Sequence, residues 1–215
     1  MIIGSNRMPE HPYFSCSPAF KGVILEGMEE VIGAGGLDEM LNMSGLSALK
    51  EACLSEDECT QISYSDLSLA QKNLEMIYGR YGGRGLALIA GRNYFTYSIR
   101  KYGKSLGLLD LDFRLLPLKV KLQTGLNRMA RHISQASKSR IYLEENADQY
   151  RWIVERCPLC WHRHSDMPIC DMQVGMLQQF TYWASGGKIY SVSETECIAM
   201  GAEACVFSID KVAIE

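Results

Sequence analysis

No stretch of this sequence is apolar for long enough to cross a bilayer: runs such as GLALIAG at 85–91 fall far short of the roughly 20 residues a spanning helix needs. The polar, proline-containing start MIIGSNRMPEHPYFS lacks the charged and apolar regions of a signal peptide, so a cytoplasmic protein is the expectation. An excess of one charge is also missing. Charged residues make up 22% of the chain, the formal net charge is -3, and the two signs are mixed, which leaves no electrostatic footprint for nucleic acid. No ATPase P-loop, dinucleotide glycine fingerprint, flavin motif or leftover helix-turn-helix is found, nor any internal repeat, low-complexity tract or long linker. A length of 215 residues with 47% hydrophobic content suits one well-filled core, so a single domain over 1–215 is expected.

What the sequence does have is cysteine. Eight are present, and without a secretory signal such a count points to metal binding or redox chemistry more often than to disulfides. Cys16, Cys53 and Cys59 are scattered through the N-terminal part, whereas Cys157, Cys160, Cys170, Cys197 and Cys205 crowd together near the C-terminus.

The hydrophobic period divides the chain in two. Residues 1–139 read as mainly helical. Ser17 caps and Pro18 opens a first helix that the glycines at 33, 35 and 36 end, with short helices from Leu37 and around Leu46–Leu54 after it. A polar loop, LSEDECTQISYSD, precedes a helix capped by Ser65 or Asp66 and running through Tyr78. The next helix carries Leu86, Ile89, Ala90, Phe95, Ile99 and Tyr102 on one face and ends at Gly103; Pro117 opens another. Residues 140–215 read as hairpin, helix, hairpin: alternating segments turn near Asn146, a helix stops at Gly186 and Gly187, and two strands flank a turn at Gly201. The fold class is α+β, N-terminal helices followed by an antiparallel sheet with packed helices.

Glu194, Cys197 and Cys205 lie around that last turn in ETECIAMGAEACVFSI. The odd separation of Glu194 and Cys197 sends them to opposite faces of a regular strand, so a bulge or twist is needed to bring them together. With Cys170 at the start of a helix as fourth donor, three thiolates and a carboxylate would form a tetrahedral complement suited to Zn²⁺. The helix N-terminus also favours the thiolate of Cys170. From spacing alone, an equal reading is that these cysteines are small buried hydrophobes and Glu194 a surface charge.

The segment CDMQVG at 170–175, the glycine turn at 186 and 187, ETEC at 194–197, MG at 200–201 and Cys205 resemble the 4-vinyl reductase domain family. The same pattern occurs in the sensory domain of phenol- and xylene-responsive activators, and CPLC followed by SDMPIC is similar to free-standing prokaryotic members. The motifs span roughly 150–210, with AGR at 90–92 a weaker similarity. The resemblance implies structural zinc on Cys170, Glu194, Cys197 and Cys205. It also implies a fold shared with nitric-oxide-sensing haem domains and Golgi-transport subunits, a homodimer, and an apolar cavity between helices and sheet for an aromatic or tetrapyrrole-like ligand.

Cys157 and Cys160 read as a redox dithiol, extra metal ligands, part of an iron–sulfur site with Cys170, or a buried structural pair. His directly after the second Cys is absent, so the haem-attachment pattern fails, and His162 and His164 read as exposed loop residues. Trp152, Phe180 and Trp183, together with Tyr142 and Tyr182, are candidates to line an aromatic pocket and equally candidates for ordinary core; His132 is a candidate polar contact to a ligand. Three functions compete. The first is a zinc-containing domain that captures a hydrophobic small molecule as carrier, accessory factor or sensor. The second is a tetrapyrrole-metabolism reductase or redox protein using Cys157 and Cys160, with an iron–sulfur cluster or haem as the alternative cofactor. The third is a structural adaptor.

Overall fold

The computed structural model describes residues 14–47, 49 and 62–214. Cys53, Cys59 and most of the helix expected around Leu46–Leu54 lie outside the described residues.

A short strand β1 (Ser15–Cys16) leads into helix α1 (Pro18–Met43), whose N-cap is Ser17 accepting a hydrogen bond from the Phe20 N–H. The glycine break expected at 33 is a kink: Gly33 has φ +73°, a conformation open to glycine, and the chain resumes helix on the far side instead of stopping. β2 (Ile62–Ser63) pairs antiparallel with β1, a two-stranded element where the sequence suggested only a polar loop. Helix α2 (Tyr64–Tyr78) is capped by Ser63, whose Oγ accepts from the Asp66 N–H, and not by Ser65 or Asp66. α3 (Arg80–Tyr102) ends at Gly103 as expected, but Ile89 is exposed and the buried face is made by Ala87, Ala90, Gly91, Tyr94, Phe95 and Ile99. A one-turn helix α4 (Leu111–Arg114), not foreseen, buries Phe113 ahead of α5 (Leu118–Ser137).

The second part is β3 (Ile141–Glu145), β4 (Gln149–Val154), α6 (Asp171–Ser185), β5 (Tyr190–Glu196), a 3₁₀ turn (Ile198–Met200) and β6 (Cys205–Ala213). Asn146 closes the first hairpin, its Oδ1 accepting from the N–H groups of Asp148 and Gln149. The sheet is antiparallel in the order β3-β4-β6-β5. Its central strands are the most buried, with Tyr150, Trp152 and Val154 on β4 and Cys205 to Ile209 on β6. α5 packs against β3 and α6 against β5, while α3 crosses the far side of α6 and α1 packs on α3.

The α3–α6 crossing is unusually close. A methyl group at Gly91 would land on the carbonyl of Met172, and one at Gly175 on the carbonyl of Leu88, so each helix uses a glycine where the other's backbone passes. This contact fixes the start of α6, and with it Cys170, against the helical layer. Arg84 on α3 reinforces it with a two-pronged ion pair to Asp171, Nε to Oδ2 at 2.8 Å and Nη2 to Oδ1 at 2.9 Å.

Candidate metal centre

Three segments converge where α6 begins. Cys170 is the N-cap of α6, Cys157 and Cys160 sit in the CPLC turn after β4, and Glu194, Cys197 and Cys205 flank the β5–β6 connection. The bulge that the sequence requires is there. β5 pairs Glu194 with Phe207 and Glu196 with Val206, so Thr195 is the extra residue. The bulge leaves Glu194 turned inward and Glu196 at the surface, where it pairs with Arg151.

All five cysteines of this group are buried and free of disulfides. Their sulfurs lie 3.6 Å (Cys157–Cys170), 3.5 Å (Cys160–Cys205), 3.9 Å (Cys170–Cys205) and 4.0 Å (Cys205–Cys197) apart. Two sets of four donors each fall within 4.8 Å of one another: Cys157, Cys160, Cys170, Cys205, and Cys170, Glu194, Cys197, Cys205. A metal–sulfur bond of about 2.3 Å makes the edge of a tetrahedron about 3.8 Å, so these spacings suit a cation bound directly by the thiolates. A cluster with inorganic sulfide between several irons spreads its cysteines wider than this.

Glu194 Oε2 accepts from the Cys170 N–H at 2.8 Å, while Oε1 is buried with no hydrogen-bond partner among the described residues. Burial, opposed by that backbone hydrogen bond, pushes the Glu194 carboxyl up to about 8. Burial together with neighbouring sulfurs raises the Cys170 thiol, whereas hydrogen bonds from Cys160, Cys170 and Cys205 lower that of Cys157. The Ile198 N–H points at Cys205 Sγ at 3.4 Å, a backbone donor that stabilises a thiolate there. An orphaned carboxylate oxygen among crowded thiols is the donor chemistry a soft or borderline divalent cation completes.

His162 and His164 are exposed, outside both donor sets. Beside the cluster lies an apolar cavity of about 30 Å³ bounded by Phe20, Tyr94, Ile133, Cys157, Met172 and Met176 among others. A second cavity of about 20 Å³ is bounded by Phe95, Leu106, His132 and, again, Tyr94, Ile133 and Met176. His132 therefore reaches a cavity wall. Trp152, Phe180 and Trp183 do not line either one: Trp152 is fully buried in the sheet, and Phe180 and Trp183 pack on Phe95, with Trp183 also stacked on Phe113. Tyr94, Ile133 and Met176, which nothing in the sequence singles out, are the residues common to both cavities. Their helical spacing is that of any core position.

Fold and cluster together define an α+β domain with a cysteine-rich centre at the junction of sheet and helices. Residues 151–211 match the family model of the 4-vinyl reductase domain, so the resemblance read from the motifs holds over the segment that carries the cluster. No curated protein matches the chain. Among solved structures, the fold is similar to an H-NOX protein from S. oneidensis in its Fe(II)NO ligation state, at 12% identity and a TM-score of 0.56 over 90% of this chain and 99% of that one. It is also similar to a point mutant of the T. Tengcongensis H-NOX, at 13% identity and a TM-score of 0.54 over 93% and 100%. The phenol-responsive sensory domain of the transcription activator PoxR, solved with phenol, gives 18% identity and a TM-score of 0.51 over 78% and 89%. These likenesses show the mixed helix and antiparallel-sheet fold. Among the described residues no helix is long and apolar enough to cross a membrane.

Proposed function

We propose that the chain is a single metal-stabilised domain that captures a hydrophobic small molecule between α3, α5, α6 and the sheet, as a carrier, accessory factor or sensor. The observation that carries this reading is the shared wall. Cys157, Pro158 and Leu159 on one side and Met172 and Gln173 on the other line the first cavity, and these segments hold or adjoin candidate metal ligands. Zinc bound there would fasten the CPLC turn, the start of α6 and the β5–β6 connection into one rigid pocket floor, converting binding free energy into folding free energy.

The cavity volumes decide between ligand classes. Space of about 30 Å³ and about 20 Å³ admits a few water molecules. The partition between the two spaces includes Met176, whose unbranched side chain turns aside more readily than the aromatic Tyr94. A single aromatic ring is accommodated by such a movement, and the phenol bound by the PoxR sensory domain is a molecule of that size. A tetrapyrrole, haem included, does not fit without parting the helices, so haem supplies no step here even though His132 borders a cavity.

The test pairs metal analysis with a ligand screen on anaerobically purified protein. Zinc in the protein, no visible charge-transfer band, and a thermal shift with small phenols that Ile133→Phe abolishes while keeping the metal are the expected results. Iron with charge-transfer absorption, or phenols without effect on a zinc-loaded protein, would move the redox reading ahead.

A further inference from the structure

A tetrahedral cation takes four donors, yet this centre brings together six: five thiols and the Glu194 carboxylate. Whichever four are assigned to one cation, two buried donors are left over. If Cys170, Glu194, Cys197 and Cys205 are the ligands, the thiols of Cys157 and Cys160 remain buried 3.6 and 3.5 Å from ligating sulfurs with no partner but those sulfurs and a long 4.0 Å approach of Cys160 to the Cys157 carbonyl. If the four cysteines Cys157, Cys160, Cys170 and Cys205 are chosen, Glu194 keeps a buried, unpartnered Oε1. Charge leads the same way. Six ionised donors around one dication leave a large uncompensated negative charge in the interior, which a protein avoids by pairing or by protonation.

We infer that the centre binds two divalent cations of the zinc type in edge-sharing tetrahedra, with the thiolates of Cys170 and Cys205 bridging. One cation is held by Cys157 and Cys160 together with the bridging pair. The other is held by Glu194 and Cys197 together with the same pair. The two donor sets intersect in Cys170 and Cys205 and in nothing else. The intersecting sulfurs are 3.9 Å apart, the edge that two tetrahedra have to share, and each outer sulfur with a short approach meets one of them: Cys157 on Cys170, Cys160 and Cys197 on Cys205. The backbone supports the bridging pair, Cys170 as the N-cap of α6 and Cys205 through the Ile198 N–H. In this arrangement every one of the six donors has a cation, and the orphan oxygen of Glu194 has its partner.

The inference rests on the metal reading of the cluster and is tested separately from it. Protein saturated with zinc and freed of excess should carry about two ions per chain, and either double variant, Cys157→Ser with Cys160→Ser or Glu194→Gln with Cys197→Ser, should carry about one. Titration of the metal-free wild-type chain with Co²⁺ needs no variant to fold. Its paramagnetic resonance should grow over the first equivalent and be quenched over the second as the bridging sulfurs couple the two spins. Saturation at about one ion overturns the inference while leaving the zinc-stabilised pocket standing; two ions without spin coupling overturns the bridge; no bound metal overturns both readings.

Discussion

Cys205 belongs to both donor sets, and Cys197 and Cys157 to one each, so single substitutions there are not equivalent. Cys205→Ser is expected to lower metal affinity by more than about 100-fold and to reduce folding stability measurably, because the ligand joins the β-hairpin to the rest of the centre. Cys16→Ser, by contrast, should leave metal content unchanged, since Cys16 lies outside both sets; inductively coupled plasma analysis of the two proteins distinguishes them. At His132, burial lowers the imidazole from its ordinary value of 6.5. The folded chain thus binds fewer protons at this position than the unfolded chain does. Its contribution is present above pH 6.5 and is lost as pH falls through the lower folded value. His132→Gln should flatten that acid-side loss in denaturation curves collected across the window, and an unchanged slope would place the titration elsewhere.

Among the elements, the α3–α6 crossing and the β5 bulge control where the donors stand. Gly91→Ala and Gly175→Ala each push a methyl into a backbone carbonyl of the opposing helix, where neither side can yield cheaply, and are expected to cost about 2–4 kcal/mol. Gly85→Ala on the exposed side of α3 meets nothing within 4 Å and is expected to be neutral or to stabilise by about 0.5–1 kcal/mol. Urea titration of the three variants tests the pair of expectations together. A mild Gly91→Ala would mean that the helices sit further apart than the close glycine contacts indicate. Deleting Thr195 removes the bulge and restores strict alternation, which would turn Glu194 away from Cys197; metal content should fall while the rest of β5 still pairs with β6.

At the scale of the whole molecule, the metal centre and the cavity share structure, so loss of one should be felt at the other. Chelation is expected to lower the melting temperature and, below that temperature, to weaken binding of a small phenol, because Cys157–Leu159 and Met172–Gln173 lose the restraint that keeps them as cavity walls. Calorimetric titration of phenol into metal-loaded and metal-free protein measures the coupling. Equal affinity in the two states would mean that the cavity is held by helix packing alone, through the Gly91 and Gly175 contacts.

The α+β class, the helix α6, both hairpins and the crowding of cysteines near the C-terminus were legible in the sequence, because hydrophobic period, glycine stops and residue spacing are local properties. So was the need for a bulge between Glu194 and Cys197, which follows from strand alternation. The β1–β2 pairing was not, since two-residue strands from segments far apart leave no periodic signal, nor was the cap at Ser63, one of several hydroxyl and carboxylate residues in a row. Sequence spacing could not say that CPLC joins the other thiols: its turn and the β5–β6 connection are separated by the whole of α6, and only the antiparallel pairing of β4 with β6, which sets Val154 beside Cys205, brings Cys157 and Cys160 onto the same sulfurs. The cavities are likewise a property of packing. Tyr94, Ile133 and Met176 come from three helices and meet because two glycines let α3 and α6 cross at backbone contact, an approach that no single segment encodes.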